Sequence, residues 1–287
     1  MSAVRHSAWR GPFPGLHREV TSGWPEASVS MWDLEDTQSE PDVRNIPIQR
    51  VGVRGVRHPF RLVDGEEGEQ FTVGRASLSV YLPANVRGTH MSRFVAFLQS
   101  GADRIGSSSI GRMPAEVATL LGAEEATVEF DFPFFMVKNA PVTGVSGRVD
   151  YEASLRGHWV RGETRSEAVV RVPVTTLCPC SRNISERGAH NQRGLVCVAV
   201  EAEPLPRLEG LVRLVEAAAS AELYSVLKRP DEKHVTEQAY DNPVFVEDLV
   251  RNLAQELQAS PGIRRYRVEA ENFESIHNHS AFAVVEG

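Results

Sequence analysis

Val170-Arg-Val-Pro-Val-Thr-Thr-Leu-Cys-Pro-Cys-Ser-Arg-Asn-Ile-Ser-Glu-Arg-Gly-Ala-His-Asn-Gln-Arg-Gly-Leu-Val-Cys-Val-Ala-Val200 is the run of sequence from which the rest can be read. Its first eight residues, to Leu177, are rich in Val and Thr, and Leu195–Val200 repeats that character. Branched side chains of this kind suit a pleated, half-buried surface, so two strands are expected with a long loop between them. The loop, Cys178 to Arg193, carries two thiols, an imidazole, a carboxylate and three guanidinium groups. Loops on a rigid scaffold are where chemistry concentrates, and thiolate with neutral imidazole is a donor set for zinc-class metals.

Outward from this run, the same grammar appears twice. Towards the C-terminus, Leu208–Leu227 has a helical apolar stripe, and a further helix is expected from Asn242-Pro243 to Leu257, stopped by Ser260-Pro-Gly262. Strands Arg264–Glu271 and Ala281–Val285 close the chain. Towards the N-terminus, Pro47–Val56 and Gln70–Leu82 alternate as a hairpin about the acidic turn Asp64–Gly68. Helical spacing follows at Phe94, Phe97 and Leu98, and again over Pro114–Leu121. Thr127–Val137 and Val145–Leu155 are strands joined through Pro141-Val-Thr-Gly144. Each half therefore reads strand, strand, helix, helix, strand, strand: an α+β chain of two ββααββ units, 41–160 and 161–287, with antiparallel sheets and helices on one face. Sheets so built leave one face and their edges uncovered, and an oligomer with sites between subunits is expected.

Composition narrows the function classes. The 287 residues are 41% hydrophobic and 24% charged, ordinary for a soluble globular protein. A net charge of -7 argues against a general nucleic-acid binder. No apolar run approaches the roughly 18 residues of a membrane span, and the N-terminus lacks a signal-peptide core. Three cysteines do not make a disulfide framework, and Cys178 and Cys180 are too close to bridge without strain, which points to the reducing cytosol. Residues 1–40, with Trp9, Trp24 and Trp32, read as a flexible extension or a partner-clasping arm.

Several separated motifs together resemble one family. Leu177–Arg193 closely resembles the signature of the type IB GTP cyclohydrolase I family. The likeness continues through Gly88-Thr-His-Met-Ser-Arg-Phe94, Arg229-Pro-Asp-Glu-Lys233, Asn242–Arg251 and Glu271-Asn-Phe-Glu-Ser-Ile-His-Asn-His-Ser-Ala281. It covers the chain from about Pro41 onward. The resemblance implies a tunnelling fold assembled as a homotetramer, with GTP converted to dihydroneopterin triphosphate and formate at the entry to folate synthesis. It also implies a divalent metal: manganese, iron or zinc.

Residue roles follow from the two together. Cys178 and His190, at opposite ends of one loop, are candidate metal ligands, and the resemblance adds Glu232 as the third, leaving an open position for water. It makes Glu247 the purine anchor, whose carboxylate accepts from both the ring N–H and the exocyclic amine of guanine. His277 is the candidate general acid/base, with Glu274 to position it or a water, and His279 sharing its parity. In this scheme a metal-activated water attacks carbon 8 of guanine while His277 moves protons. The triphosphate needs a cationic pocket, for which His90, Arg93, Arg182, Arg187, Arg193 and Lys233 are candidates. Cys180 is ambiguous between a supporting thiol and a redox-sensitive one, and Cys197 reads as structural. Three alternatives stay open: a cysteine nucleophile working with a nicotinamide cofactor, an archaeal-type cyclohydrolase yielding a cyclic phosphate, and a non-catalytic scaffold.

Overall fold

The computed structural model describes residues 37–63 and 68–287. The three tryptophans of the first forty residues and most of the acidic turn at 64–68 lie outside them. Strands β1 (Ile48–Leu62) and β2 (Gln70–Leu82) pair antiparallel as a hairpin. Helices α1 (Met91–Gly101) and α2 (Met113–Leu121) follow, with the two-residue strand β3 (Arg104–Ile105) between them. Next come β4 (Glu125–Asn139) and β5 (Ser146–Val160), then β6 (Glu163–Leu177) and β7 (Asn191–Ala202) with the short helix α3 (Pro179–Ile184) inside their connection. Helices α4 (Leu208–Ala218), α5 (Arg229–Asp241) and α6 (Val246–Ala259) precede β8 (Ile263–Phe273) and β9 (Ser280–Glu286).

All nine strands form one sheet in the order β3-β1-β2-β4-β5-β6-β7-β8-β9, antiparallel except where β3 runs along β1. The two halves meet at the tight turn Arg161-Gly162, where both residues have positive φ and β5 passes straight into β6. Every other residue of β4, from Ala126 to Phe134, is buried beneath the helices. α1 lies on β1, α2 on β4 and β5, α4 on β6, and α6 on β8 and β9, so the helices share one face. This is the expected α+β arrangement. The core is aromatic in the first half, where Phe60 sits edge-on to Phe130 and Phe132, and aliphatic in the second, through Val172, Val198, Leu249 and Leu253. The opposite face is laddered by charge: Arg156 donates to Glu129 on one neighbouring strand and Glu167 on the other, each at 2.7 Å. No helix among the described residues is long and apolar enough to cross a membrane.

Three details depart from the sequence reading. The helix expected over 208–227 stops at Ala218. There the chain turns to pair with the end of β6: Ala221 exchanges backbone hydrogen bonds with Thr175 at 2.9 and 3.2 Å, and Ser220 Oγ accepts from Leu177 N at 3.0 Å. Second, the segment between the two expected helices, which holds Glu232, is itself a helix, α5. Its residues are polar all round, so no apolar stripe announces it. Third, Asn242 caps the end of α5, its side chain donating to Ala219 O, and α6 starts at Val246.

The N-terminus of α5 is clasped to the β4–β5 turn. Asp231, fully buried, accepts from Val142 N, Thr143 N, Thr143 Oγ1 and Lys228 N at 2.7–2.9 Å. Burial opposes the charge, but those four donors outweigh it and hold the carboxyl well below the usual range. A second buried network joins β4 to α4: Lys138 donates to Glu216 at 2.7 Å and pairs with Glu222, while Tyr151 Oη donates to Glu216 at 2.7 Å. Removing one member of such a network strands the others, at a cost of about 3–5 kcal/mol. Lys138→Met is therefore expected to lower the melting temperature by roughly 10 °C. A calorimetric scan unchanged from the parent protein would refute that cost.

Candidate active site

The loop after β6 is built so that its two ends meet. Cys178 is extended and precedes α3, Pro179 fills the first helical position where no N–H is needed, and Cys178 Sγ accepts from Ser181 N at 3.4 Å. Ser181 Oγ then accepts from His190 N at 2.8 Å, and Cys178 N donates to His190 O at 3.2 Å. The thiol thus lies at the N-terminus of α3. Immediately afterwards the chain enters β7, whose alternation sends Gln192 to the helix side and Arg193 to the open face.

A cavity of about 260 Å³ opens on the helix side of the sheet, between the ends of β7 and β8 and the start of α6. Three separate stretches contribute to it: Cys178, His190 and Gln192; Val244–Glu247; and Asn272, Glu274, His277, His279 and Ala281. His190 Nδ1 is 3.0 Å from Gln192 Oε1 and 3.8 Å from Glu274 Oε2. His277 and His279 stack with ring centres 5.2 Å apart, within the bend at residues 275–279 between β8 and β9. Glu247, in the first turn of α6, faces the cavity from a helix start that no side chain caps. Gly194 leaves the room that Asn272 uses: a Cβ there would stand 2.9 Å from Asn272 Oδ1.

Two buried oxygens in this cavity, Asn272 Oδ1 and Glu274 Oε2, have no hydrogen-bond partner among the described residues. Native interiors rarely leave buried acceptors unpaired, and the cost of doing so is about 1–3 kcal/mol each. A ligand carrying donors or positive charge satisfies them. Among the described residues, no three His, Cys, Asp or Glu groups stand together tightly enough to hold an ion. Cys178 and His190 suit one, with Glu274 Oε2 orphaned beside them, but the remaining donor set is incomplete within one chain.

The structure separates the sequence candidates into two groups. Cys178, His190, Glu247, Glu274, His277 and His279 come together. Glu232 does not: it is exposed on α5 beside Arg229, nine residues and hence roughly 14 Å of helix rise from the end nearest the cavity. Lys233, on the same helix, pairs with Glu237. His90 and Arg93 lie at the start of α1 in the other half, and Arg187 and Arg193 are exposed away from the cavity lining. Arg182 stacks on Tyr240 and reaches Asp241 at 4.0 Å. Gln192 and Asn272 were not singled out beforehand. Parity held the signal for both: each is a strand-end residue two positions from a chosen residue just beyond the strand, His190 or Glu274.

The GTP cyclohydrolase FolE2 of Bordetella pertussis is 54% identical over 255 residues, spanning 88% of this chain and 96% of that one. The proteins of the same name from Methylococcus capsulatus and Paraburkholderia xenovorans are 51% and 53% identical, each over 88% of this chain. A more distant likeness in chain course joins it to the uricase of Arthrobacter globiformis, with a TM-score of 0.46 and 7% identity over 83% of this chain and 92% of that one. The family model for type I GTP cyclohydrolase FolE2 matches residues 34–283. With the cavity and its motifs lying inside that match, the chain belongs to the type I GTP cyclohydrolase FolE2 family.

Proposed function

We propose that this protein is a metal-dependent GTP cyclohydrolase of the type IB kind, opening the imidazole ring of GTP to give 7,8-dihydroneopterin triphosphate and formate at the head of tetrahydrofolate synthesis. In this reading residues 41–160 and 161–287 are two tunnelling-fold units, and the working particle is a homotetramer with its sites between subunits. One observation carries it: a thiol, an imidazole, two carboxylates and a stacked histidine pair, drawn from three distant stretches, line one cavity.

Cys178 Sγ and the free nitrogen of His190 would hold the metal, which when bound supplies Lewis acidity and a water acidic enough to react near neutral pH. Glu247 grips guanine by its ring N–H and exocyclic amine, fixing the five-membered ring inside the cavity. His277 holds and delivers the proton that the ring nitrogen takes up as the ring opens, with His279 stacked against it. Glu274, part-buried beside His190, positions the reacting water. The three thiols are unpaired, as suits a reducing compartment.

Glu232 and the basic residues complete the site from a neighbouring copy in this reading, since their own chain holds them away from the cavity. Mixing Cys178→Ala and Glu232→Ala subunits, each inactive alone, is expected to restore about a quarter of the activity, because a quarter of the composite sites are then intact. Mixed particles with no activity would sink the shared site. For the function itself, protein stripped of metal and resupplied anaerobically with manganese, iron or zinc should release formate and a fluorescent pterin from GTP. Absence of turnover with every metal would return the non-hydrolytic readings.

A further inference from the structure

We infer that Gln192, held by Thr176, is a positioning residue that fixes the ring orientation and tautomer of His190 and so presents its Nε2 to a metal. The inference rests on the reading of Cys178 and His190 as ligands and adds what makes one of them competent. An imidazole ligates through an unprotonated nitrogen, so some neighbour must keep the proton on the other one. His190 Nδ1 is 3.0 Å from Gln192 Oε1. Glu274 Oε2 also faces that nitrogen, but at 3.8 Å, beyond hydrogen-bond reach. Gln192 is itself buried, and its Nε2 donates to the hydroxyl of Thr176 at 2.8 Å.

With its Nε2 on the Thr176 hydroxyl, the amide turns Oε1 to His190 Nδ1. An amide that turned over would point its NH₂ at His190 Nδ1, leave the proton on Nε2 and block ligation. Thr176 is fully buried in β6, directly opposite Gln192 in the β6–β7 register. The relay Thr176–Gln192–His190 is therefore anchored in the sheet, while Cys178 arrives from the loop. A neutral amide also adds no charge beside the ligands, and leaves Glu274 free for a partner other than His190.

The test is cobalt(II) binding by protein stripped of metal, read from the thiolate-to-cobalt absorption band without any turnover. Gln192→Leu should bind cobalt about 10–100-fold more weakly than the parent protein. Gln192→Glu keeps the acceptor and should stay within a few-fold. Thr176→Val, nearly isosteric, frees the amide and should also weaken binding several-fold, which keeps the inference exposed if Gln192→Leu does not fold. Parent-like affinity in both Gln192→Leu and Thr176→Val would overturn the relay. His190→Ala separates the causes. If it too binds cobalt as the parent does, the ligand reading falls and takes the relay with it. If it binds weakly while Gln192→Leu binds normally, only the relay falls.

Discussion

Cys178→Ala is expected to remove bound metal and to cut kcat/KM for GTP by at least roughly 10³-fold, on the order of 4 kcal/mol of transition-state stabilisation. The size follows from the site's construction. Within the chain, Cys178 and His190 are the two donors that the loop brings together, and no other thiol lines the cavity. A metal that keeps one position for water has few ligands to lose. The substitution should spare the fold, because Cys178 is only part-buried and its backbone bond to His190 survives. Metal content by atomic emission and formate release by a coupled assay check the two halves of the expectation. Full metal content with lost turnover would move Cys178 from ligand to nucleophile, and unchanged turnover would end both roles.

Glu247→Gln should have the second-largest effect, a fall of about 10³-fold or more in kcat/KM for GTP. The carboxylate offers two acceptors to two adjacent donors on guanine. The amide offers one acceptor and turns an N–H against the other donor, leaving a polar group of the bound base unpaired. Glu247 is exposed at the rim of a helix start, so the loss belongs to recognition and not to stability. Inosine triphosphate, which lacks the exocyclic amine, supplies the control: the parent protein should discriminate strongly against it, and the variant should do so far less. A variant that loses activity yet keeps the parent's ratio for the two nucleotides would show that Glu247 does not read the base.

Much of this was legible in the sequence because period-2 alternation and turn residues are local signals. Gln70–Leu82 could be placed as a strand from its own residues, and Pro141–Gly144 as a turn. The end of α4 was not legible, since Ser220 and Ala221 leave the helix for partners in β6 that are distant in sequence. Nor was α5, whose charged residues suit a helix and a solvated loop equally. At the site, Cys178 and His190 were found by residue type within one loop. Gln192 and Asn272 were missed because a buried amide is recognised by what it faces, and a linear sequence does not say that. The basic residues were collected by charge, whereas the fold distributes them over surfaces that one chain does not turn towards the cavity.

The clasp around Asp231 ties together parts of the chain that would otherwise be free to drift apart in evolution. The β4–β5 turn belongs to the first half, yet through Val142 and Thr143 it sets where α5 of the second half begins, and with it the place where Glu232 meets solvent. An insertion in that turn would leave the cavity's lining untouched while displacing what the molecule shows to a neighbour. If the site is shared as proposed, length changes at this hairpin would lower activity while the pocket's own lining stayed the same.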